Sequence, residues 1–273
     1  MITLLPTPLG NLGDVTIRSL KLLQEADLIL AEDTRVAKKL LDLLKNEYQI
    51  KLKPNLEIIS FFEHNQKKRI QELEYRLMSE NVVFMSDAGM PAISDPGQIL
   101  IEFAQKKGIA YDVLPGASVV PLIYAASGFE SGKFIFYGFL PRKGVQREKE
   151  LQKVMQMEYD VILYEAPHRL LQLLESISKI DPKRELFLGK ELTKRYQSYY
   201  KGSAKELFES LQNEKIMGEW AVIIHGSLQI KQQNMLTIDD IKALDLPIKQ
   251  KAKLLAKMSG INAKKWYEKL LNA

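Results

Sequence analysis

The chain has 273 residues and a net charge of +5, and its hydrophobic (46%) and charged (27%) fractions are those of an ordinary globular protein. It contains no cysteine, which excludes disulfides, thiolate catalysis and metal sites built on cysteine. The three histidines lie far apart without ligand spacing, so we expect no metal site. No apolar run reaches the length of a bilayer span and no signal peptide is recognisable, so we expect a cytoplasmic protein without a membrane anchor.

The positive charge is concentrated at one end of the chain. Residues 231–273 contain nine lysines and four acidic residues, which leaves 30 basic and 30 acidic side chains in the rest. An electroneutral body with a basic end is typical of a protein that docks on a polyanion. A solvated lysine-rich helix face explains the same charge equally well.

The first half of the chain alternates between strand and helix patterns. This alternation predicts crossover units and a mostly parallel sheet. A helix is expected at residues 14–24 with Asp14 as its cap. The other predicted strands and helices are strands at 2–5, 28–30, 56–60, 82–85 and 111–114, and helices at 34–45, 66–78 and 98–106.

The same alternation continues in the second half. We therefore expect two α/β domains, at residues 1–116 and 117–230, that form a cleft between them. The predicted elements are strands at 134–139, 161–164, 186–188, 196–200 and 220–225, and helices at 119–126, 146–157, 170–180 and 204–211.

Residues 231–273 are predicted to form a third, helical module. Thr237 starts a short helix, and Pro247 suits the first turn of the next. Gly260 can end that helix in the left-handed conformation, and Asn262 can cap the last one. Two helices joined by a tight glycine turn indicate a helix-turn-helix, which binds nucleic acid in many proteins but is also a common way to pack short helices.

The most informative motif is SDAGMPAISDPG, at residues 86–97. It follows a strand-like apolar run and contains two glycines and two prolines before the next helix. Loops of this kind hold small ligands at the strand ends of open α/β sheets. An ordinary strand-to-helix connection needs only a few residues, so a functional loop is favoured.

Other motifs follow predicted strands in the same way. AEDTR at residues 31–35 and YEAPHR at residues 164–169 place charged side chains at strand ends. Each alone is compatible with a helix cap and a solvated ion pair, but together with the glycine-rich loops they indicate a shared cleft. TPLGNLGD at residues 7–14 and GFESGKF at residues 128–134 have the wrong spacing for dinucleotide or Walker loops, which argues against a nucleoside triphosphatase.

The motifs, taken in order, resemble the tetrapyrrole-methylase superfamily and, within it, the small-subunit ribosomal RNA methyltransferases. The resemblance rests on the motifs TPLGNLGD, AEDTR, SDAGMPAISDPG, PGAS, FYGFLPRK, YEAPHR, KELTK and GEWAVIIHG, and it covers nearly the whole chain. It implies S-adenosylmethionine-dependent methylation of a cytidine ribose 2′-hydroxyl in small-subunit (16S) ribosomal RNA. It also implies a homodimer of two-domain subunits with the cofactor in the interdomain cleft.

The resemblance also implies which residues contact the cofactor. Met90 stands where relatives usually have threonine, so its contact is expected through the backbone alone. The implied cofactor-binding residues are Leu9, Asp87, Gly89, Met90, Ile93, Ser118, Val119, Tyr164 and Ala221.

A ribose hydroxyl is a poor nucleophile, so a nearby base is expected to help. Glu32 and Glu191 are the candidate catalytic residues. The expected RNA-binding residues are Arg35, Arg142, Lys143, Arg169, Lys194, Lys251, Lys253, Lys264 and Lys265. Two alternatives stay open: a methylase of a tetrapyrrole or another small molecule, and a non-catalytic RNA-binding factor with a vestigial cleft. The basic module argues against the first, and the intact ligand loops argue against the second.

Overall fold

The structure is a computed structural model that describes residues 1–226 and 238–271. The chain divides into two compact units, Met1–Gly226 and Ser227–Ala273, called here the main unit and the terminal unit. The main unit contains two five-stranded sheets, each with helices around it. The predicted helix start at Thr237 lies outside the described residues. No helix in the described ranges is long and apolar enough to cross a membrane.

The first sheet is parallel throughout, with strand order β3-β2-β4-β1-β5. Alternating strands and helices build it, as predicted. Its strands are β1 (Ile2–Leu4), β2 (Leu28–Ala31), β3 (Glu57–Ser60), β4 (Val82–Met85) and β5 (Tyr111–Val113). The helices of this half are α1 (Ile17–Glu25), α2 (Thr34–Tyr48), α3 (Gln66–Ser79) and α4 (Gln98–Lys107).

Helices cover both faces of this sheet, so its central strands are apolar on both sides. All four residues of β4 are buried, and so are all four of β2. On one face Phe84 packs edge-on against Phe61, with 5.4 Å between ring centroids. This rigid centre fixes where the loops that follow β2 and β4 leave the sheet.

The cap of α1 differs from the prediction. Residues 12–14 form a 3₁₀ turn, in which the Asn11 side chain accepts a hydrogen bond from the N–H of Gly13. The helix begins after Thr16, whose hydroxyl accepts the N–H of Ser19 at 3.0 Å. Threonine caps a helix as aspartate does, and Asp14 cannot take this role because it is part of the 3₁₀ turn.

The second sheet is mixed, with strand order β6-β7-β10-β8-β9. Strand β6 pairs parallel with β7, whereas β10 lies antiparallel between β7 and β8, and β9 is antiparallel to β8. The strands are β6 (Phe134–Phe139), β7 (Asp160–Glu165), β8 (Glu185–Lys190), β9 (Ser198–Ser203) and β10 (Trp220–Ile224). The helices are α5 (Val119–Ser127), α6 (Val145–Met155), α7 (Pro167–Ile180) and α8 (Ala204–Leu211).

The alternation of strands and helices thus gives a parallel sheet in the first half and a mixed sheet in the second. The strand predicted at residues 196–200 is displaced toward the C-terminus. The antiparallel pairing has a useful consequence: the start of β10 at Trp220 pairs with Glu165 and Lys190, at the ends of β7 and β8. Three strands thus bring residues to one edge of the sheet.

The terminal unit contains α9 (Ile238–Ala243), α10 (Ile248–Ser259) and α11 (Ala263–Leu271). Gly260 ends α10 with a φ of 70°, and the Asn262 side chain accepts the N–H of Lys264 at 2.8 Å, as predicted. Trp266 is buried in the small core, and its indole N–H donates to the Ser259 hydroxyl at 2.7 Å. The described residues of this unit thus form three short helices around an apolar centre of their own.

Candidate active site

A cavity of about 330 Å³ lies at the strand ends of the two sheets of the main unit. The first half lines it from the loops after β1 and β4 and from the start of α5, and the second half from the adjoining ends of β6, β7, β8 and β10. The lining residues are Leu9, Ala88, Gly89, Met90, Ile93, Asp95, Ser118, Val119, Phe139, Tyr164, Glu165, Ala166, Pro167, Gly189, Leu192, Glu219, Trp220 and Ala221.

Glycine is required at the cavity where the long loop meets the first loop. Thr7 and Gly89 exchange both backbone hydrogen bonds, at 2.9 and 3.0 Å. Gly89 has a φ of +82°, and a Cβ there would lie 2.9 Å from a methyl carbon of Leu9. The two cavity-lining loops are thus joined at a point that has no space for a side chain.

The long loop also contains two non-glycine residues in the left-handed region, Ala92 (φ 64°) and Ser94 (φ 65°). Such residues are strained by about 1–3 kcal/mol each and persist only where the surroundings hold them. The N–H of Ala92 donates to Pro96 at 3.1 Å, and its carbonyl accepts the Gln98 side-chain amide at 2.9 Å. These hydrogen bonds hold the loop in a conformation in which Ile93 and Asp95 line the cavity.

Three carboxylates lie close together at the ends of β2 and β4. Burial and the charge of Asp87 raise the pKa of Glu32, and burial with the charge of Asp33 raises that of Asp87. Burial, together with the charges of Glu32 and Asp87, raises the pKa of Asp95 to about 6. Asp33 behaves differently, because its hydrogen bonds with Arg35 lower its pKa to about 2. The edge of the cavity is therefore strongly acidic.

Tyr164 forms part of the opposite wall, at the end of β7. Its ring contacts those of Phe136 and Phe139, with centroids 4.9 and 5.5 Å apart. Burial and the charge of Asp95 raise the pKa of the Tyr164 phenol to about 12, so the phenol stays protonated.

A buried ion triplet anchors the strand end that carries Tyr164. The side chain of Glu165 is 1% exposed and accepts from Arg147 at 2.6 Å and from Arg169 at 2.7 Å. Its carboxylate also accepts the N–H of Ala166 at 2.9 Å. A buried carboxylate needs such partners, and here they fix the direction of the chain between β7 and α7.

Glu191 is held in a network of its own. Its carboxylate accepts the N–H of Glu219 at 2.8 Å and the ammonium of Lys194 at 3.2 Å. The backbone hydrogen bond from Glu219 and the Lys194 charge lower the pKa of Glu191. Lys194 also pairs with Glu219 at 2.9 Å, so Glu191 orients this segment and is a weak base.

The cavity brings together eight of the nine predicted cofactor-binding residues, all except Asp87. The Asp87 carboxylate accepts the N–H of Asp33 at 3.1 Å and so ties the β4 loop to the β2 loop. The sequence did not indicate Asp95, Phe139, Leu192, Glu219 or Trp220. Each lies in or beside a recognised motif, which is the signal that could have found it.

The predicted RNA-binding residues fall into three groups. Arg35, Arg142 and Lys143 are exposed on the main unit, and Arg35 pairs with Asp33 at 2.6 Å. Arg169 and Lys194 are held in the ion pairs described above, which gives them positioning roles; a phosphate contact at either stays a prediction. The terminal unit carries the third group, of which Lys253, Lys264 and Lys265 are exposed, whereas Lys251 donates to the carbonyl of Lys242 at 2.7 Å.

Within the described residues, no group of three histidine, aspartate or glutamate side chains is arranged to hold a metal ion.

Comparison with known proteins assigns the family. The profile of the tetrapyrrole (corrin/porphyrin) methylases matches residues 1–207. The chain belongs to the tetrapyrrole methylase family. As a member, it is a methyltransferase with two α/β lobes.

Two curated relatives carry the name ribosomal RNA small subunit methyltransferase I. The protein of Campylobacter fetus is 44% identical over 99% of this chain and 100% of its own length. The protein of Thermotoga maritima is 44% identical over 81% of this chain and 96% of its own length. Among solved structures, diphthine synthase superposes on 82% of this chain and 89% of its own with a TM-score of 0.63 and 12% identity. Uroporphyrin-III C-methyl transferase from Thermus thermophilus, complexed with S-adenyl homocysteine, covers 81% of this chain and 96% of its own with a TM-score of 0.55 and 15% identity.

Proposed function

We propose that this chain uses S-adenosylmethionine to methylate a cytidine ribose 2′-hydroxyl in small-subunit (16S) ribosomal RNA, and that it acts as a homodimer in the cytoplasm. The observation that carries the proposal is the match to the Campylobacter fetus methyltransferase, which spans both chains almost completely. The basic helix-turn-helix and the cavity at the strand ends support an RNA substrate and a small-molecule donor respectively.

The cavity fits the methyl donor in size and in chemistry. Small-molecule sites typically measure about 300–1,000 Å³ and combine apolar walls with a few polar groups. The lining offers Leu9, Ile93, Val119 and Leu192 as apolar surface. Ser118 precedes α5 without capping it through its side chain, so its hydroxyl and the first N–H groups of the helix are available to an anionic group of the donor. When bound, S-adenosylmethionine supplies a methyl group on a positively charged sulfur.

The protein's contribution to this transfer is mainly positioning. The sulfonium charge disappears during the reaction, so little new charge needs stabilisation, whereas the ribose oxygen has to be held in line with the methyl carbon. Rigid loops around Gly89 and Tyr164 suit this task. The sequence indicates Glu32 and Glu191 as candidate bases. The pKa of Glu191 is lowered and that of Glu32 is raised, which favours Glu32 of these two.

RNA would approach over the exposed cations. Arg35 lies in the first turn of α2, directly after β2, and Arg142 and Lys143 lie on the loop after β6, so all three are close to strand ends. Phosphate contacts of this kind position a nucleic acid without reading its sequence. The lysines of the terminal unit would add affinity.

The proposal is tested by mass spectrometry of 16S ribosomal RNA from cells with and without this gene. The expected result is a single cytidine that carries an extra methyl group on its ribose only when the protein is present. In vitro, purified protein and radiolabelled S-adenosylmethionine should restore that methyl group on RNA or subunits from the deletion strain. Unchanged RNA in both experiments would overturn the proposal.

Methylation of a tetrapyrrole is the less well supported alternative. The solved structures that act on such molecules are 15–18% identical to this chain, a level at which the likeness concerns the fold alone. The curated relatives named for ribosomal RNA are 36–44% identical.

A further inference from the structure

Three carboxylates line the cavity, and two of them are already neutralised. Glu165 lies between Arg147 and Arg169, and Glu219 pairs with Lys194. Asp95 is the third. In the described part of the chain it forms no ion pair with a cation, and the nearby Ser86 side chain only partly offsets the rise in its pKa. Asp95 is therefore the lining carboxylate whose charge is available to a bound molecule.

The two candidate bases indicated by the sequence are placed less well. The Glu191 carboxylate is occupied by the N–H of Glu219 and by Lys194. Glu32 lies close enough to Asp95 for their charges to interact but does not itself line the cavity. Its neighbour Asp87 is likewise absent from the lining and holds the N–H of Asp33. These acids set the electrostatic surroundings of Asp95.

The position of Asp95 suits contact with both substrates. It follows Ser94, one of the two left-handed residues, so the strained loop determines where its carboxylate points. The lining residues from the opposite lobe include Tyr164, whose phenol interacts with the charge of Asp95. Asp95 and Tyr164 thus line the same cavity from the two lobes.

We propose that Asp95 is the catalytic base that takes the proton of the ribose hydroxyl during methyl transfer. This inference rests on the proposed function. As the ribose oxygen forms its bond to the methyl carbon, the O–H bond breaks and the proton passes to the Asp95 carboxylate. The carbon–sulfur bond breaks with its electron pair left on sulfur, which becomes a neutral thioether. The proton then leaves to water, so the carboxylate is regenerated.

The surroundings make Asp95 a better base than an ordinary aspartate. Burial and the facing charges of Glu32 and Asp87 raise its pKa to about 6, so at neutral pH it is ionised yet holds a proton more firmly than a solvated carboxylate. Tyr164 and Ser86 are the other polar groups that face it. The donor's sulfonium would favour the ionised form further.

The decisive experiment compares full-length wild type, D95N and E32Q, with E102Q as control. Glu102 is an exposed residue of α4 that pairs with Lys106. Each protein is tested for S-adenosylmethionine affinity by calorimetry and for single-turnover methylation of small subunits from the deletion strain at saturating donor, between pH 5 and 8.

For D95N we expect donor affinity within about threefold of wild type and a rate at least about 100-fold lower, the usual contribution of a positioned base. The wild-type rate should rise with pH, reach half of its maximum at or below pH 6 and level off about one unit higher, and D95N should lose this rise. E32Q should keep the rise, shifted to lower pH because one facing charge is gone. E102Q should behave as wild type.

Several results would overturn the assignment. A D95N rate within about threefold of wild type would exclude a base at this position. Weak donor binding by D95N with a normal rate at saturation would make Asp95 a donor ligand, and loss of the pH rise in E32Q alone would assign the proton to Glu32. Failure of the proposed function can be distinguished from failure of this assignment, because in the first case the wild-type protein itself would leave the ribose unmethylated.

Discussion

Two carboxylates near the cavity show how the surroundings of a residue determine its role. Burial and acidic neighbours raise the pKa of Asp95, whereas a backbone N–H and a lysine lower the pKa of Glu191. A raised pKa suits proton transfer, and a lowered one suits a permanent ion pair. The two side chains differ little chemically, so the difference comes entirely from the fold.

The raised pKa of Asp95 predicts how stability depends on pH. Between the unfolded value near 3.8 and the folded value of about 6, the folded state binds more protons, so Asp95 lowers stability as pH rises through this window. The free energy of unfolding of D95N should therefore increase relative to that of wild type between pH 4 and 6, and the increase should persist at higher pH. For a half-buried group the advantage is on the order of 1–2 kcal/mol. Urea unfolding across this pH range measures it, and a pH-independent difference would contradict the assigned surroundings.

Two glycine substitutions distinguish the effect of backbone strain from the effect of a changed cavity shape. G89A and G108A both place alanine at positive φ, +82° and +66°, so each should lower the free energy of unfolding by about 1 kcal/mol. Only the Gly89 methyl would meet a neighbour, Leu9, because nothing lies within 4 Å of one at Gly108. Calorimetry should show donor affinity reduced more than tenfold in G89A and unchanged in G108A. Equal affinities would mean that this loop junction does not shape the donor site.

Most of the lining could be predicted because glycine- and proline-rich loops carry a strong local signal. The motif at residues 86–97 identifies the loop, but its spacing does not reveal which acid faces the cavity. Asp87 lies next to the strand end and is used to join two loops, whereas Asp95, eight positions later, is turned into the cavity by left-handed backbone at Ser94. Nothing in the composition of the loop distinguishes the two.

At the scale of elements, the local sequence pattern predicts the strand directions of the first sheet but not those of the second. Alternation of strand and helix is sufficient for parallel β1 to β5. In the second half β10 inserts between β7 and β8 in the opposite direction, a choice made by long-range pairing. The same pairing brings Trp220 and Ala221 to the cavity, so part of the site depends on topology that periodicity cannot indicate.

The anchored end of β7 allows a test of element-level stabilisation. R147M removes one of two arginines from a carboxylate that is 1% exposed, so the free energy of unfolding should fall by about 3 kcal/mol. The double variant R147M/E165Q leaves the Arg169 side chain, which is 13% exposed, without its carboxylate, and should lose further stability. K179M breaks an exposed pair with Glu175 and should change stability by less than about 0.5 kcal/mol. Urea denaturation measures all three, and an R147M protein as stable as K179M would contradict a structural role for the triplet.

At the scale of the whole molecule, the family profile and the lysine-rich helices lie in different units. The family profile matches residues 1–207, all within the main unit, and the Thermotoga maritima relative is matched over 96% of its length by 81% of this chain. That relative is therefore shorter than this chain. The described helices of the terminal unit have a core of their own around Trp266 and carry exposed lysines.

Neutralising the terminal unit should therefore weaken RNA binding without affecting the donor site. In K253Q/K264Q/K265Q, three exposed lysines are removed from α10 and α11 while the buried Trp266 core is retained. If each contacts a phosphate, the slope of log affinity against log salt falls by roughly two to three, because each neutralised phosphate contributes about 0.7–0.9. Calorimetric affinity for S-adenosylmethionine should stay the same. The matched control K106Q/K179Q/K205Q removes three exposed lysines that pair with acids on helices of the main unit, at equal cost in net charge. Equal salt slopes in the two triple variants would assign the effect to overall charge, and an unchanged slope in the first would make the terminal unit a packing element with no contact to RNA.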